Sequence, residues 1–512
     1  MFVKSYGSAI SGIDAITVAV EVNITAGIGM YMVGLPDNAV KESQERIRAA
    51  FENNSFKMSG KKVVVNLAPA DIRKEGSAYD LTIAIAILAA TGQLDPAPLE
   101  KYIIMGELSL DGSILPVKGA LPIAIEALRK GFKGFILPRE NAPEAAVVDG
   151  LEVYGVDNIA QVAGFLRGNM PMEPTVVDTR KLFADDMTRS DGDFSDVKGQ
   201  THVKRALEIA VTGGHNVIMI GPPGSGKTML AKRLPSVMPP MTLREALETT
   251  KIHSVAGKLG SHKGLLAVRP FRSPHHLTSQ VALVGGGSNP QPGEISLAHN
   301  GILFLDELPE FGRSLLEVMR QPMEDKNIVV SRSKYTVEYP ANFMLIASMN
   351  PCPCGYYNHP TKDCVCSAGT VAKYLNRISG PMLDRIDVHI EVTPVPFTEL
   401  SGTQQEEPSA AIRERIIRAR AIQGKRFEGM PIHTNAMMNT RQLRKFCILD
   451  EEAANLLKMA MERLNLSARA YDRIIKVSRT IADLAGSVNI RPSHIAEAIQ
   501  YRSLDRESWG AV

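Results

Sequence analysis

The stretch Asn216–Thr228, Asn-Val-Ile-Met-Ile-Gly-Pro-Pro-Gly-Ser-Gly-Lys-Thr, holds the residues whose spacing is most specific. Gly221, four residues, and then Gly226-Lys227-Thr228 complete the phosphate-loop pattern. A loop wrapped around a triphosphate turns its backbone N–H groups inward, and side chains would block the approach. Gly221, Gly224 and Gly226 remove them and permit unusual φ. Pro222, Pro223 and Ser225 fill out the loop. The helix that follows adds the positive end of its dipole. Lys227 supplies a point charge for the β- and γ-phosphates, and Thr228 a hydroxyl for Mg²⁺. A nucleoside triphosphate is the expected ligand.

Other stretches are apolar runs with a polar tip. Gly301-Ile-Leu-Phe-Leu-Asp306-Glu307 reads as a buried parallel strand ending in two carboxylates. Doubly wound sheets bind ligands at that end of their strands. Asp306 is placed to hold the Mg²⁺ shell, and Glu307 to orient or deprotonate the attacking water. Asn342–Asn350 is a second such strand, with Asn350 fitting a sensor of the γ-phosphate. Arg385 stands just before the apolar strand that begins at Ile386. It suits an arginine finger reaching a neighbouring subunit, a contact worth roughly 10³–10⁵ in rate. Arg377 is the alternative finger. Further on, Ser467 can cap a helix with Arg469 in its first turn. The resemblance of these C-terminal helices to an AAA+ lid implies that Arg469 closes over the nucleotide of its own subunit, with Arg473 as the alternative. Gly199-Gln200, one helix upstream of the phosphate loop, resembles an AAA+ feature that lies near the adenine.

Together these elements resemble an AAA+ ATPase. The resemblance narrows to the magnesium-chelatase-like AAA+ proteins of the YifB/ComM family. Arg269-Pro-Phe-Arg-Ser-Pro-His-His276, Gly285–Gly287, Gln291–Asn300, Asn350-Pro-Cys-Pro-Cys-Gly355 and Ile378–Asp387 carry it. It implies ATP and Mg²⁺ as cofactors and a homo-oligomeric, hexameric ring. For ComM-type members it implies a DNA helicase that drives branch migration during natural transformation. A chelatase-type or chaperone-type motor that remodels a protein partner is the alternative. Gly106–Pro138 in turn resembles the proteolytic domain of the Lon family, with its ribosomal-S5-like α/β fold. That resemblance implies a Ser–Lys dyad, yet Leu121 and Pro122 stand where the lysine belongs, and Ser77 falls early. Ser77 with Lys118 remains a formal nucleophile–base pair. The expectation is a non-proteolytic interaction or regulatory domain.

Cys352-Pro-Cys354 and Cys364-Val-Cys366 form a cluster between Asn350 and the fingers. Four converging thiolates make a structural zinc site. Free thiols in a packed loop and a redox pair are the alternatives. Glu324–Tyr339 reads as a hairpin with Arg332-Ser333-Lys334 at its tip. Inside a ring such a tip reaches the pore, where Arg332 and Lys334 would hold DNA phosphates; a solvated turn is the alternative. Lys251–Arg272 reads as a helical insertion whose Lys251, Lys258, Lys263, Arg269 and Arg272, with His253 and His262, are further candidate contacts. Arg413, Arg415, Arg418 and Arg420 read as a solvated helix face, with a nucleic-acid contact as the alternative.

Positioning these groups calls for about three domains, which 512 residues accommodate. Residues 1–168 alternate strands and helices as a Lon-like α/β domain. Residues 169–195 are an acidic, solvated linker, with Asp185, Asp186, Asp191, Asp193 and Asp196 around its end. Residues 196–395 are a doubly wound parallel AAA+ sheet with a helical insert and the hairpin, and 396–512 a helical lid. A net charge of +3 demands no polyanion partner, so any nucleic-acid surface must be local. The start of the chain lacks the build of a signal peptide. The run Leu81–Ala90 is too short to span a bilayer. Five cysteines, four of them clustered, do not suggest a secreted disulfide scaffold. The expectation is a cytoplasmic protein without a membrane partner.

Overall fold

The computed structural model describes residues 1–179, 181–183, 192–260, 264–287, 290–332, 335–359, 361–396, 406–464 and 466–502. The N-terminal domain grows from one long antiparallel pair, Phe2–Ser11 with Asp14–Thr25, in register from Phe2↔Asn23 to Ser11↔Asp14. The sheet runs Met30–Val33, Lys62–Ala68, Asp14–Thr25, Phe2–Ser11, Tyr102–Ile104, Gly134–Pro138, Glu152–Val156. Helix Asp80–Ala90 is apolar on every side, and all its residues are buried. A helix of that composition has nowhere to go but the core. Helix Asn38–Asn53 starts at Asp37, whose carboxylate accepts the Val40 N–H at 2.8 Å. A hairpin turns at Asp111-Gly112, pairing Glu107–Leu108 with Ile114–Leu115.

The motor sheet is parallel throughout, in the order Phe271–Arg272, Ile302–Leu305, Met344–Met349, Val217–Ile220, Val388–Glu391. The three middle strands are buried at every residue, which is why they read as continuous apolar runs. Register places Ile220 beside Met349 and Leu305 beside Ala347. The tips that follow these strands therefore gather along one edge. The C-terminal helices share the motor's core, with Ile416, Ile474 and Ile481 in one cluster with Leu207 and Val217.

Three surface expectations change. In the helix Ser409–Arg426, Arg415 reaches Glu208 at 2.6 Å and Arg420 donates to Val211 O at 2.9 Å, so two of its arginines bind the motor. Of the expected helical insertion Lys251–Arg272, only Lys251–Val255, the end of helix Leu243–Val255, is helical among the described residues, and its described cations have partners inside the chain. Lys251 pairs with Asp14 at 2.7 Å, Lys258 and Arg272 share Glu294, and Arg269 holds Pro239 O, Asn300 O and Glu245. His262 and Lys263 lie outside the described residues. The linker is anchored rather than wholly solvated: Val177, Leu182 and Phe183 pack with Val147, Met241, Ala246 and Leu265. Asp193 accepts the Ser195 and Ser409 N–H groups, while Asp185, Asp186 and Asp191 lie outside the described residues.

Candidate active site

Gly221 follows strand Val217–Ile220 so closely against the chain beyond Glu391 that a Cβ would sit 2.1 Å from Val392 O. Gly224 and Gly226 have φ of 77° and 91°, and a Cβ on either would meet nothing within 4 Å. Backbone hand selects these two, and the space in front of them is open. Lys227 opens helix Lys227–Val237, at the positive end of its dipole. Its ammonium donates to Gly221 O at 2.7 Å and Pro222 O at 2.9 Å, and lies 3.3 Å from Asn350 Oδ1. Burial pulls Lys227 down to about 8, against the charges of Asp306 and Glu307. Ser225 Oγ is buried with no hydrogen-bond partner among the described residues. A phosphate oxygen is the kind of acceptor it lacks. Gln200 donates to Thr393 O at 2.5 Å, and its own Oε1 is likewise buried and unpartnered among the described residues. An amino group of a base would satisfy it.

Thr228 Oγ1 donates to Asp306 Oδ2 at 2.8 Å. The other carboxylate oxygen accepts the Ser348 hydroxyl and, at 3.2 Å, the Glu307 N–H. Thr228 and Asp306 thus converge as oxygen ligands for a hard cation such as Mg²⁺. Glu307 turns at φ 55°, ψ 51°, uncommon for a residue with a Cβ. That turn sends its carboxylate outward, 55% exposed, with His276 Nδ1 3.6 Å away. Neither Ser348 nor His276 stood out as a site residue in the sequence. Ser348 interrupts an apolar strand, and its role depends on the pairing Leu305↔Ala347. His276 comes from a distant loop.

Arg385 and Arg469 lie together, away from this edge. Both line one small cleft with Glu324, Asp384, Asp472, Arg473 and Lys476. Arg385 pairs with Glu324 at 2.7 Å and donates to Pro381 O at 2.7 Å. Arg469 pairs with Asp384 at 2.5 Å. Asn216, at the start of Val217–Ile220, donates to Arg385 O at 3.0 Å. The phosphate loop leaves the opposite end of that strand, about 13 Å along at roughly 3.3 Å per residue. Arg469, expected over its own nucleotide, therefore sits beside Arg385 at the far edge of the sheet. Arg473 is held by the buried Asp387 at 2.8 Å. Arg377 pairs with Glu310 at 2.8 Å, next to its own acidic turn.

Three family profiles cover most of the chain: "Subunit ChlI of Mg-chelatase" over residues 20–141, "Magnesium chelatase, subunit ChlI" over 193–400, and "Magnesium chelatase, subunit ChlI C-terminal" over 406–502. The competence protein ComM of Haemophilus influenzae is 44% identical over 98% of this chain and 97% of its own length. YifB of Escherichia coli is 44% identical over 97% of this chain and 96% of its own. The chain belongs to the ComM/YifB family of magnesium-chelatase-like AAA+ proteins. The magnesium-chelatase 38 kDa subunit of Acidiphilium rubrum is 28% identical over only 31% of the chain and 52% of its own length. Kinship over nearly the whole length thus includes ComM and YifB, and the protein is an AAA+ motor.

The remaining expectations fall on the parts of this ComM/YifB chain around the nucleotide site. Ser77 gives its hydroxyl to Glu107 instead of Lys118, and the Lys118 stem packs against Gly257 of the motor. Leu121, at the Lon lysine position, is buried and donates its N–H to Glu144, which also accepts from Ser254 of the insertion. The hairpin forms, Asn327–Arg332 with Tyr335–Pro340, and Tyr339 fastens its base to Pro290 O at 2.6 Å. Arg332 ends the first strand, and Lys334 lies outside the described residues. The four sulfurs of Cys352, Cys354, Cys364 and Cys366 all fall within 4.8 Å of one another. No helix among the described residues is long and apolar enough to cross a membrane.

Proposed function

We propose that this protein is an ATP-hydrolysing ring motor that acts on DNA, driving branch migration or strand displacement. The observation that carries the hydrolytic part is the convergence of Lys227, Thr228–Asp306 and the outward carboxylate of Glu307 on one sheet edge. ATP binds with Mg²⁺ there: the loop N–H groups, Ser225 and Lys227 hold the phosphates, Thr228 and Asp306 the cation. Glu307 activates water, and Asn350, beside Lys227, aligns the γ-phosphate. In a hexameric ring Arg385 completes the site of the neighbouring subunit, and Arg469, on the same cleft, acts with it in that neighbour. Arg377 stays with its own acidic turn. The hairpin of Asn327–Arg332 and Tyr335–Pro340 reaches DNA in the pore. Kinship over the whole length to a protein named for competence supports the DNA reading.

The test is strand displacement and branch migration on labelled forks, with ATP turnover measured beside it. Wild type should unwind or migrate the fork and turn over ATP faster with DNA, and Glu307→Gln should do neither. A motor for a protein partner gives ATP turnover indifferent to DNA and leaves the fork intact, and that result sinks the DNA reading.

A further inference from the structure

We infer that Cys352, Cys354, Cys364 and Cys366 hold one zinc ion, and that this ion positions the phosphate loop and Asn350. The sulfur geometry is the first ground. Cys352 Sγ lies 3.3 Å from Cys354 Sγ and 3.7 Å from Cys364 Sγ, and the Cys354–Cys364 separation is 3.6 Å. Four sulfurs at the corners of a tetrahedron about 2.3 Å from a central Zn²⁺ stand about 3.8 Å apart. A disulfide would bring a pair to about 2.05 Å. All four sulfurs converge on one point, and two disulfides would draw them into two separate pairs.

The backbone around them is that of a metal knuckle. Cys354 accepts the Tyr356 and Val365 N–H groups, Cys364 the Cys366 N–H, and Cys366 the Cys354 N–H. Such donors hold thiolates in place and offset their charge. Little else does: between Met349 and Ala368 the described residues form no helix or strand. Of the four cysteines only Cys352 is buried, and Val365 is 86% exposed. A long loop without secondary structure or core of its own needs another tie, and four thiolates on a cation supply one. Binding releases the thiol protons to solvent.

The knuckle rests on the nucleotide site. Gly355, at φ 85°, touches the phosphate loop so closely that a Cβ would fall 2.5 Å from Pro223 Cδ. Asn350 is two residues before Cys352 and packs at Lys227. The ion therefore fixes one wall of the phosphate pocket; this second half rests on the ATP reading above, while the metal site does not.

The experiment measures zinc by mass spectrometry on full-length protein purified without added metal, and nucleotide affinity by equilibrium binding of a fluorescent ATP analogue. One zinc per chain is expected. It should be lost in Cys352→Ser and Cys364→Ser, kept in Cys447→Ser, and kept in Cys366→His, since three cysteines and a histidine also bind zinc. Wild type stripped with a chelator should bind the analogue about tenfold more weakly, and Zn²⁺ should restore it. Zinc absent from wild type, or unchanged in both serine variants, overturns the site. Stripped protein that binds nucleotide as tightly as the zinc form overturns the positioning role. A zinc-loaded wild type that binds no ATP would refute the ATPase reading and leave the metal site standing.

Discussion

Lys227 has the clearest signature of the individual residues. With burial bringing it to about 8, its ammonium gives up a proton through pH 8 to 9 when the pocket holds no nucleotide. A triphosphate favours the charged form. Binding above pH 8 must then take up a proton, and affinity falls by up to about tenfold per pH unit. Calorimetry in two buffers of different ionisation heat should show uptake near zero at pH 7 and approaching one proton at pH 9. An uptake flat across that range rules the account out. The sign for stability is the reverse of an ordinary lysine pair: its folded value lies below the unfolded one, so the charged residue costs stability below pH 8 and the cost fades toward its ordinary value. Ser348 gives a second test. Ser348→Ala removes the hydroxyl on Asp306, and the Mg²⁺ concentration for half-maximal ATP turnover should rise about tenfold with the melting temperature little changed. Lys227, Asp306 and Glu307 were legible because chemistry dictates both their types and their spacing. Ser348 was not, because its meaning comes from a neighbouring strand whose register no local pattern encodes.

Among the elements, the strands with polar tips were readable because a strand buried on both faces must be apolar along its whole length. The basic insertion was misread for an equally physical reason. Sequence displays a lysine's charge but not the carboxylate that meets it, and Lys251 finds Asp14 at 237 residues' remove. Helix Ala468–Leu484 shows both sides. Its cap is local, and Ser467 accepts the Ala470 N–H as expected. Its direction is set by packing, and that carries Arg469 to the far edge of the sheet. Buried ions decide which of these ties matter. Burial alone would raise the Asp387 carboxyl, yet Arg473 and His215 hold it well below the usual carboxylate range. Asp387→Asn leaves Arg473 without its counter-ion where the last helices join the sheet, and should cost about 3 kcal/mol. The Lys251–Asp14 pair, with Asp14 72% exposed, should contribute little by comparison. Urea midpoints for Asp387→Asn and Lys251→Ala separate the two, and a near-equal loss would show that the buried pair does not hold the lid.

At the scale of the molecule, the question is which subunit each arginine serves. Arg385 and Arg469 share one cleft at the sheet edge opposite the phosphate loop, so in this arrangement neither lies at its own phosphate loop. In the proposed ring, a head-to-tail contact would bring that edge of one copy to the phosphate edge of the next. Arg385 must then leave Glu324, and the neighbour's γ-phosphate is the competing anion. Mixing variants reads this directly. Lys227→Ala destroys its own site but offers intact arginines; Arg469→Ala keeps an intact phosphate loop. Each alone should hydrolyse little ATP. If Arg469 acts in the neighbour, mixed rings contain interfaces with a whole loop on one side and whole arginines on the other, and turnover rises above either parent. If it acts on its own nucleotide, every subunit in the mixture is defective at its own site, and turnover stays at the parental level. Arg385→Ala mixed with Lys227→Ala should regain activity in the same way. Recovery with Arg385→Ala but none with Arg469→Ala would separate the two arginines and assign the lid back to its own subunit.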